Sequence, residues 1–190
     1  PMDLEGKRVG IPEWGQTAGV YVRGALSDQF GVDLSTIEWV QSGVHQPGRS
    51  EKVKFNLPDW VRLRPDTKNN LNDLLLSGPV DAVITAHPIQ SFKDRDSRVK
   101  RMFEDPRSIE MEYFQKTNCF PIMHTIVIRN DILEASPWVA QTMYKGLDMA
   151  RRRCVNRLLD ATASAAPMPW IFSAMEDSRA IFGSHDLWSY

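Results

Sequence analysis

The strand-helix-strand pattern that opens the chain confines it to a parallel-sheet α/β architecture. Lys7-Arg8-Val9-Gly10-Ile11 is a short extended run that stops at Pro12, and a helix is expected to begin near Thr17. Val22, Leu26 and Phe30 recur at four-residue spacing with Ala18 one turn earlier, which predicts a buried stripe on that helix. Gly31 ends it, and Thr36-Ile37-Glu38-Trp39-Val40 resumes the extended pattern. A helix between two strands carries the chain back across the sheet and sets those strands parallel. Ligands of open α/β sheets collect at the carboxyl ends of the strands, which directs attention to the turn before Thr17 and to the polar loop 43–51.

Further along, 53–63 is ambiguous because Pro58 breaks its alternation, and 70–76 predicts a helix stopped by Gly78-Pro79. Residues 80–85 predict a buried strand that ends at Ala86-His87-Pro88. The charged stretch 91–118 holds helical candidates at 98–103 and 109–116, and 122–128 is a β-branched run expected to form a strong strand. Ser136-Pro137 predicts a helix start, with the serine accepting free amides. Val139, Met143, Leu147, Ala150, Cys154 and Leu158 then mark a long amphipathic helix. A small-residue connector, 162–169, leads to a last helix that Gly183 terminates.

The 190 residues suffice for one large domain or two small ones. Lysine and arginine total 23 against 24 acidic residues, a net charge of -1, so no general attraction to nucleic acid is expected. No run approaches the roughly 18 apolar residues of a membrane span. Pro1-Met2-Asp3-Leu4 is not a charged leader followed by an apolar run, so a cytoplasmic protein is expected. Cys119 and Cys154 are too few for a disulfide scaffold, and their apolar surroundings predict reduced, buried thiols.

Two segments carry candidate chemistry. Gln16-Thr17-Ala18-Gly19 opens the first helix, where unpaired amides and partial positive charge can seat an anion; helix capping alone also accounts for Thr17. His45 and Arg49 share the following loop: histidine moves protons near neutral pH and arginine offers a fork suited to a carboxylate. An exposed loop in which Arg49 pairs with Glu51 is the alternative there. His87 follows an expected strand and His124 lies within one, each a core histidine or a proton donor, whereas His185 is expected at the surface. Neither a metal-ligand spacing, nor a nucleophile elbow, nor a P-loop is visible, so no metal is expected, although ligands distributed along the chain would leave no such spacing. Trp14, Tyr21, Trp39, Trp60 and Trp138 read first as core residues.

Taken in order, these segments resemble a known family. Leu4-Glu5-Gly6-Lys7-Arg8-Val9-Gly10-Ile11-Pro12-Glu13-Trp14, with Gln16-Thr17-Ala18-Gly19-Val20 and Arg23-Gly24, is similar to the 4,5-dihydroxyphthalate decarboxylase family. Pro47-Gly48-Arg49, Asp81-Ala82-Val83-Ile84 with His87-Pro88, Phe120-Pro121-Ile122-Met123-His124 and Pro137-Trp138-Val139-Ala140 continue the likeness. The resemblance implies a type II periplasmic-binding-protein-like fold of open three-layer α/β lobes with a cleft between them. On that reading residues 1–120 are the second lobe, and 121–190 are a crossover strand and helices of an incomplete first lobe. Family members are expected to extend further at both ends, and an exposed cleft surface would favour a homo-oligomer.

The activity so implied is loss of one ring carboxylate from an aromatic dicarboxylic acid, giving protocatechuate from 4,5-dihydroxyphthalate; ring hydroxyls can stabilise the protonated ring, so no organic cofactor is expected. Gln16, Thr17, Ala18 and Gly19 would seat a carboxylate with Arg23 or Arg49, and His45, His87 or His124 would protonate the ring. A noncatalytic solute-binding protein for a small carboxylate or aromatic acid is the alternative.

Overall fold

The computed structural model describes residues 1–162, 166–183 and 188. Two compact units divide it, Pro1–Pro106 and Arg107–Tyr190. The division falls after Pro106, the first residue of the helix at 106–117.

The first unit runs β1 (Arg8–Ile11), α1 (Thr17–Asp28), β2 (Glu38–Gln41), β3 (Arg62–Pro65), α2 (Leu71–Ser77), β4 (Ala82–Val83) and α3 (Gln90–Lys93). The sheet order is β3-β2-β1-β4 and every pairing is parallel. Val9 pairs with Trp39 on one side and Ala82 on the other, so β1 is central. Side chains alternate across such a sheet. Val9, Ile11, Ile37 and Trp39 therefore pack with Leu26 of α1, while Val40 packs with Leu71 and Leu74 of α2. Helices thus cover both faces, as the buried parallel strands require.

The opening βαβ unit forms as the sequence predicts, and α2 ends where Gly78 takes φ +93. Asn70 caps α2 by accepting from the Asp73 N–H at 2.9 Å and returns a bond to the Asp73 carboxylate at 2.7 Å. Asn70→Ala is expected to lower stability by about 1 kcal/mol, readable by urea denaturation. Across the sheet edge, Arg8 donates its Nε to Asp81 at 3.1 Å and its Nη2 to the Gly78 carbonyl at 2.8 Å. The side-chain and backbone donors of Arg8 hold the Asp81 carboxyl below its usual range, and together these bonds pin the short β4 to β1.

The stripe expected on α1 is rotated. Gly19, Arg23 and Leu26 are its buried residues, whereas Val22 is 39% exposed. A charged side chain occupies a core position, which hydrophobic periodicity does not register.

The second unit contains α4 (Pro106–Thr117), α5 (Asn130–Ala135), α6 (Trp138–Leu158) and α7 (Ile171–Phe182). The strand expected at 122–128 does not form, and Val127 is 86% exposed. Among the described residues this unit has no strand to complete a ladder, and unpaired backbone in an isolated strand gains nothing over water. The candidate helix at 98–103 is likewise irregular, while 109–116 falls within α4.

α6 begins without a side-chain capping bond; the Ser136 carbonyl, not its hydroxyl, accepts from the Val139 N–H at 3.0 Å. Its amphipathic face is sparsely covered: Val155 is buried, but Met143 and Leu147 are exposed. Cys119 and Cys154 are exposed free thiols, correcting the expectation of burial, because the apolar neighbours in sequence do not close over them. Phe114, Phe120, Phe182 and Trp188 form an aromatic cluster in which Phe114 stacks on Phe182 at 4.4 Å. His185 and part of the connector 162–169 lie outside the described residues. No described helix is long and apolar enough to cross a membrane.

Candidate functional site

Because all strands of the first unit are parallel, the segments after β1, β2 and β4 leave the same carboxyl edge. The first of these carries Glu13, Trp14, Gly15 and Gln16 into α1. Gln16, not Thr17, is the N-cap residue, and its side chain makes no capping bond. The first rung of the helix runs from the Val20 N–H to the Gln16 carbonyl at 3.0 Å. The amides of Thr17, Ala18 and Gly19 therefore stand ahead of that ladder, at the positive end of the helix.

Arg23 lies beneath this turn. Its Nη2 donates to the Trp14 carbonyl at 2.7 Å, and its guanidinium carbon sits 3.8 Å from the Trp14 ring centroid. Trp14 in turn meets Trp39 edge-on, at 5.3 Å and 88°. Arg23 is 6% exposed, and its Nη1 is buried with no partner among the described residues. A Cβ on Gly19 would stand 3.1 Å from that Nη1, closer than ordinary contact, so the guanidinium lies close against the first turn of α1. Burial lowers the Arg23 pKa to about 10, opposed by the negative charge of Glu51. A buried donor of a charged group without an acceptor is costly, and an anion at the turn would satisfy it.

Two carboxylates complete the cluster. Glu13 is buried and accepts from Arg49 Nε at 2.6 Å, so the expected pairing of Arg49 with Glu51 is replaced by one with Glu13. Glu51 instead accepts from the N–H groups of Trp14 and Gly15, the latter at 3.3 Å, and from Gln41 Nε2 at 2.8 Å. Phe55 closes on Gly15 so tightly that a Cβ there would lie 2.3 Å from its ring. Sequence reasoning did not select Glu13, Gln41, Glu51 or Phe55. Their available signal was position alone: each lies at a strand end or in the loop leaving that edge.

The structure therefore gathers Gln16, Thr17, Ala18, Gly19 and Arg23, and brings Arg49 to them through Glu13. It does not gather the histidines into this network. His45 is exposed after β2, and His87 is exposed after β4 with its backbone N–H on Thr85 Oγ1 at 3.2 Å. His124 belongs to the second unit and is exposed rather than held within a strand. No imidazole makes a side-chain hydrogen bond or ion pair among the described residues. Of the aromatic residues expected in the core, Trp39 is fully buried, while Tyr21, Trp60 and Trp138 are exposed. A separate recess of ≈ 430 Å³ is lined by residues of α6 alone, including Met149, Arg153 and Cys154, and is a groove along one helix.

No protein-family model matches the chain. It is 35% identical over 192 residues to a 4,5-dihydroxyphthalate decarboxylase of Comamonas testosteroni, a likeness covering 100% of this chain and 58% of that protein. It is also 35% identical over 115 residues to a 4,5-dihydroxyphthalate decarboxylase of Pseudomonas putida, covering 60% of this chain and 44% of the relative. The chain thus spans about half the length of the curated relatives it matches. With a parallel α/β unit and 35% identity along its whole length to the Comamonas testosteroni protein, the chain belongs to the 4,5-dihydroxyphthalate decarboxylase family.

Proposed function

We propose that this chain contributes the carboxylate-binding part of a decarboxylase that acts on an aromatic dicarboxylic acid such as 4,5-dihydroxyphthalate. The observation that carries the reading is the buried, unpartnered Arg23 Nη1 against the first turn of α1. One substrate carboxylate accepts from that nitrogen and from the amides of Thr17, Ala18 and Gly19. Arg49, held by Glu13, supplies a second positive charge at the rim. The parallel sheet with helices on both faces supports a lobe of the type II periplasmic-binding-protein-like fold, with the second unit belonging to the other lobe.

In the reaction, a proton adds to the ring carbon that bears the departing carboxylate. The bond to that carboxylate then breaks, its electron pair restores the aromatic ring, and carbon dioxide leaves. Ring hydroxyl groups stabilise the protonated intermediate. Proton delivery falls to His45, His87 or His124; the first two leave the same sheet edge as the Arg23 turn. General acid transfer contributes about 10²- to 10⁴-fold, with orientation and electrostatics supplying more.

The exposure of all three imidazoles favours one second reading, a noncatalytic binder of an aromatic acid. Incubation with 4,5-dihydroxyphthalate separates the two. Release of carbon dioxide and protocatechuate, lost in one of the His45→Ala, His87→Ala or His124→Ala variants, is the expected outcome. Stoichiometric binding without product selects the binder, and retention of the full rate in all three variants overturns histidine as the acid.

A further inference from the structure

The turn before α1 already holds a carboxylate, that of Glu51. It accepts from two consecutive backbone amides, Trp14 and Gly15, and from the Gln41 side chain. We infer that Glu51 is an internal stand-in for the second carboxylate of a dicarboxylate ligand, which displaces it on binding; this rests on the reading of the Arg23 site given above. Two donor groups flank Gln16. On one side are the Trp14 and Gly15 amides, filled by Glu51; on the other are the amides that open α1, with the unpartnered Arg23 Nη1 alongside. A ring with carboxylates on adjacent carbons presents two anionic groups in the same close succession.

Charge favours the exchange. Arg23 and Arg49 are balanced by Glu13 and Glu51 while Glu51 is seated, so a dianion would enter a neutral cluster. Release of Glu51 to water leaves that cluster positive. Displacement gives up the bonds of Glu51 to the Trp14 and Gly15 amides and to Gln41, which a ligand carboxylate can take over, and Lys52, Val53 and Lys54 beyond it are exposed and without regular structure. A tethered carboxylate competes at an effective concentration of order millimolar, so its removal strengthens the external ligand.

The test is calorimetric titration of the full chain with phthalate and with benzoate. Glu51→Ala is expected to bind phthalate about tenfold more tightly, as for a site that is about one-tenth open in the parent, and benzoate within about twofold of it. Glu51→Gln is expected to give an intermediate gain for phthalate. In the parent protein, saturating phthalate should shift the Trp14 and Gly15 amide resonances and the Glu51 carboxyl carbon resonance. Unchanged or weaker phthalate binding by folded Glu51→Ala overturns the inference. Should that variant not fold, unmoved resonances in the parent overturn it equally. Arg23-dependent benzoate binding with no gain on removing Glu51 sinks this inference alone, whereas absence of any acid binding by parent and variants sinks the Arg23 site as well.

Discussion

Arg23→Leu is expected to weaken binding of phthalate about a hundredfold, because a charged, desolvated hydrogen bond to a carboxylate contributes several kcal/mol. Isothermal titration reads the loss directly. Stability should move far less. The substitution gives up the bond to the Trp14 carbonyl and the cation-π contact, but it also removes a buried guanidinium whose Nη1 is unsatisfied. Arg23→Lys, which keeps the charge and loses the fork, should bind at an intermediate level.

The pH dependence follows from the lowered pKa of about 10. The carboxylate needs the protonated guanidinium, so affinity is present below that value and is lost as pH rises through about 10. The stability effect has the opposite sign. Above pH about 10 the unfolded chain binds the Arg23 proton more readily than the folded one, so the burial penalty, full below that pH, fades toward the ordinary guanidinium range.

Trp39→Ala should destabilise the first unit by about 3–5 kcal/mol, a large part of a typical domain's stability. Trp39 is fully buried between the two flanking strands of β2 and meets Trp14 edge-on. Its removal would open a cavity beneath the ring on which Arg23 rests, so carboxylate affinity should fall together with stability. Trp39→Phe should cost much less. It keeps most of the volume and discards an indole N–H that is buried without a partner among the described residues. Chemical denaturation followed by circular dichroism distinguishes the two substitutions.

The contrast between Trp39 and Arg23 shows what the sequence could convey. The strand pattern around Val9 and Trp39 has a period of two and a helix between its runs, and both signals are local. The sheet was legible for that reason. Arg23 is singled out in the sequence by family resemblance, whereas its burial rests on a tertiary contact with Trp14, nine residues earlier. The pairing of Glu13 with Arg49, and of Glu51 with the Trp14 and Gly15 amides rather than with Arg49, is not legible in sequence because these partners are 36 or 37 residues apart. Residues 122–128 illustrate the converse failure: β-branched composition favours a strand, but a strand also needs a neighbouring backbone, and none pairs with it among the described residues.

A crystal structure of the chain with 4,5-dihydroxyphthalate addresses the central claim most directly. One ligand carboxylate should lie within about 3 Å of Arg23 Nη1 and of at least one amide among Thr17, Ala18 and Gly19. A ligand seated with its carboxylates away from both, leaving Arg23 as it is in the free protein, would contradict the account.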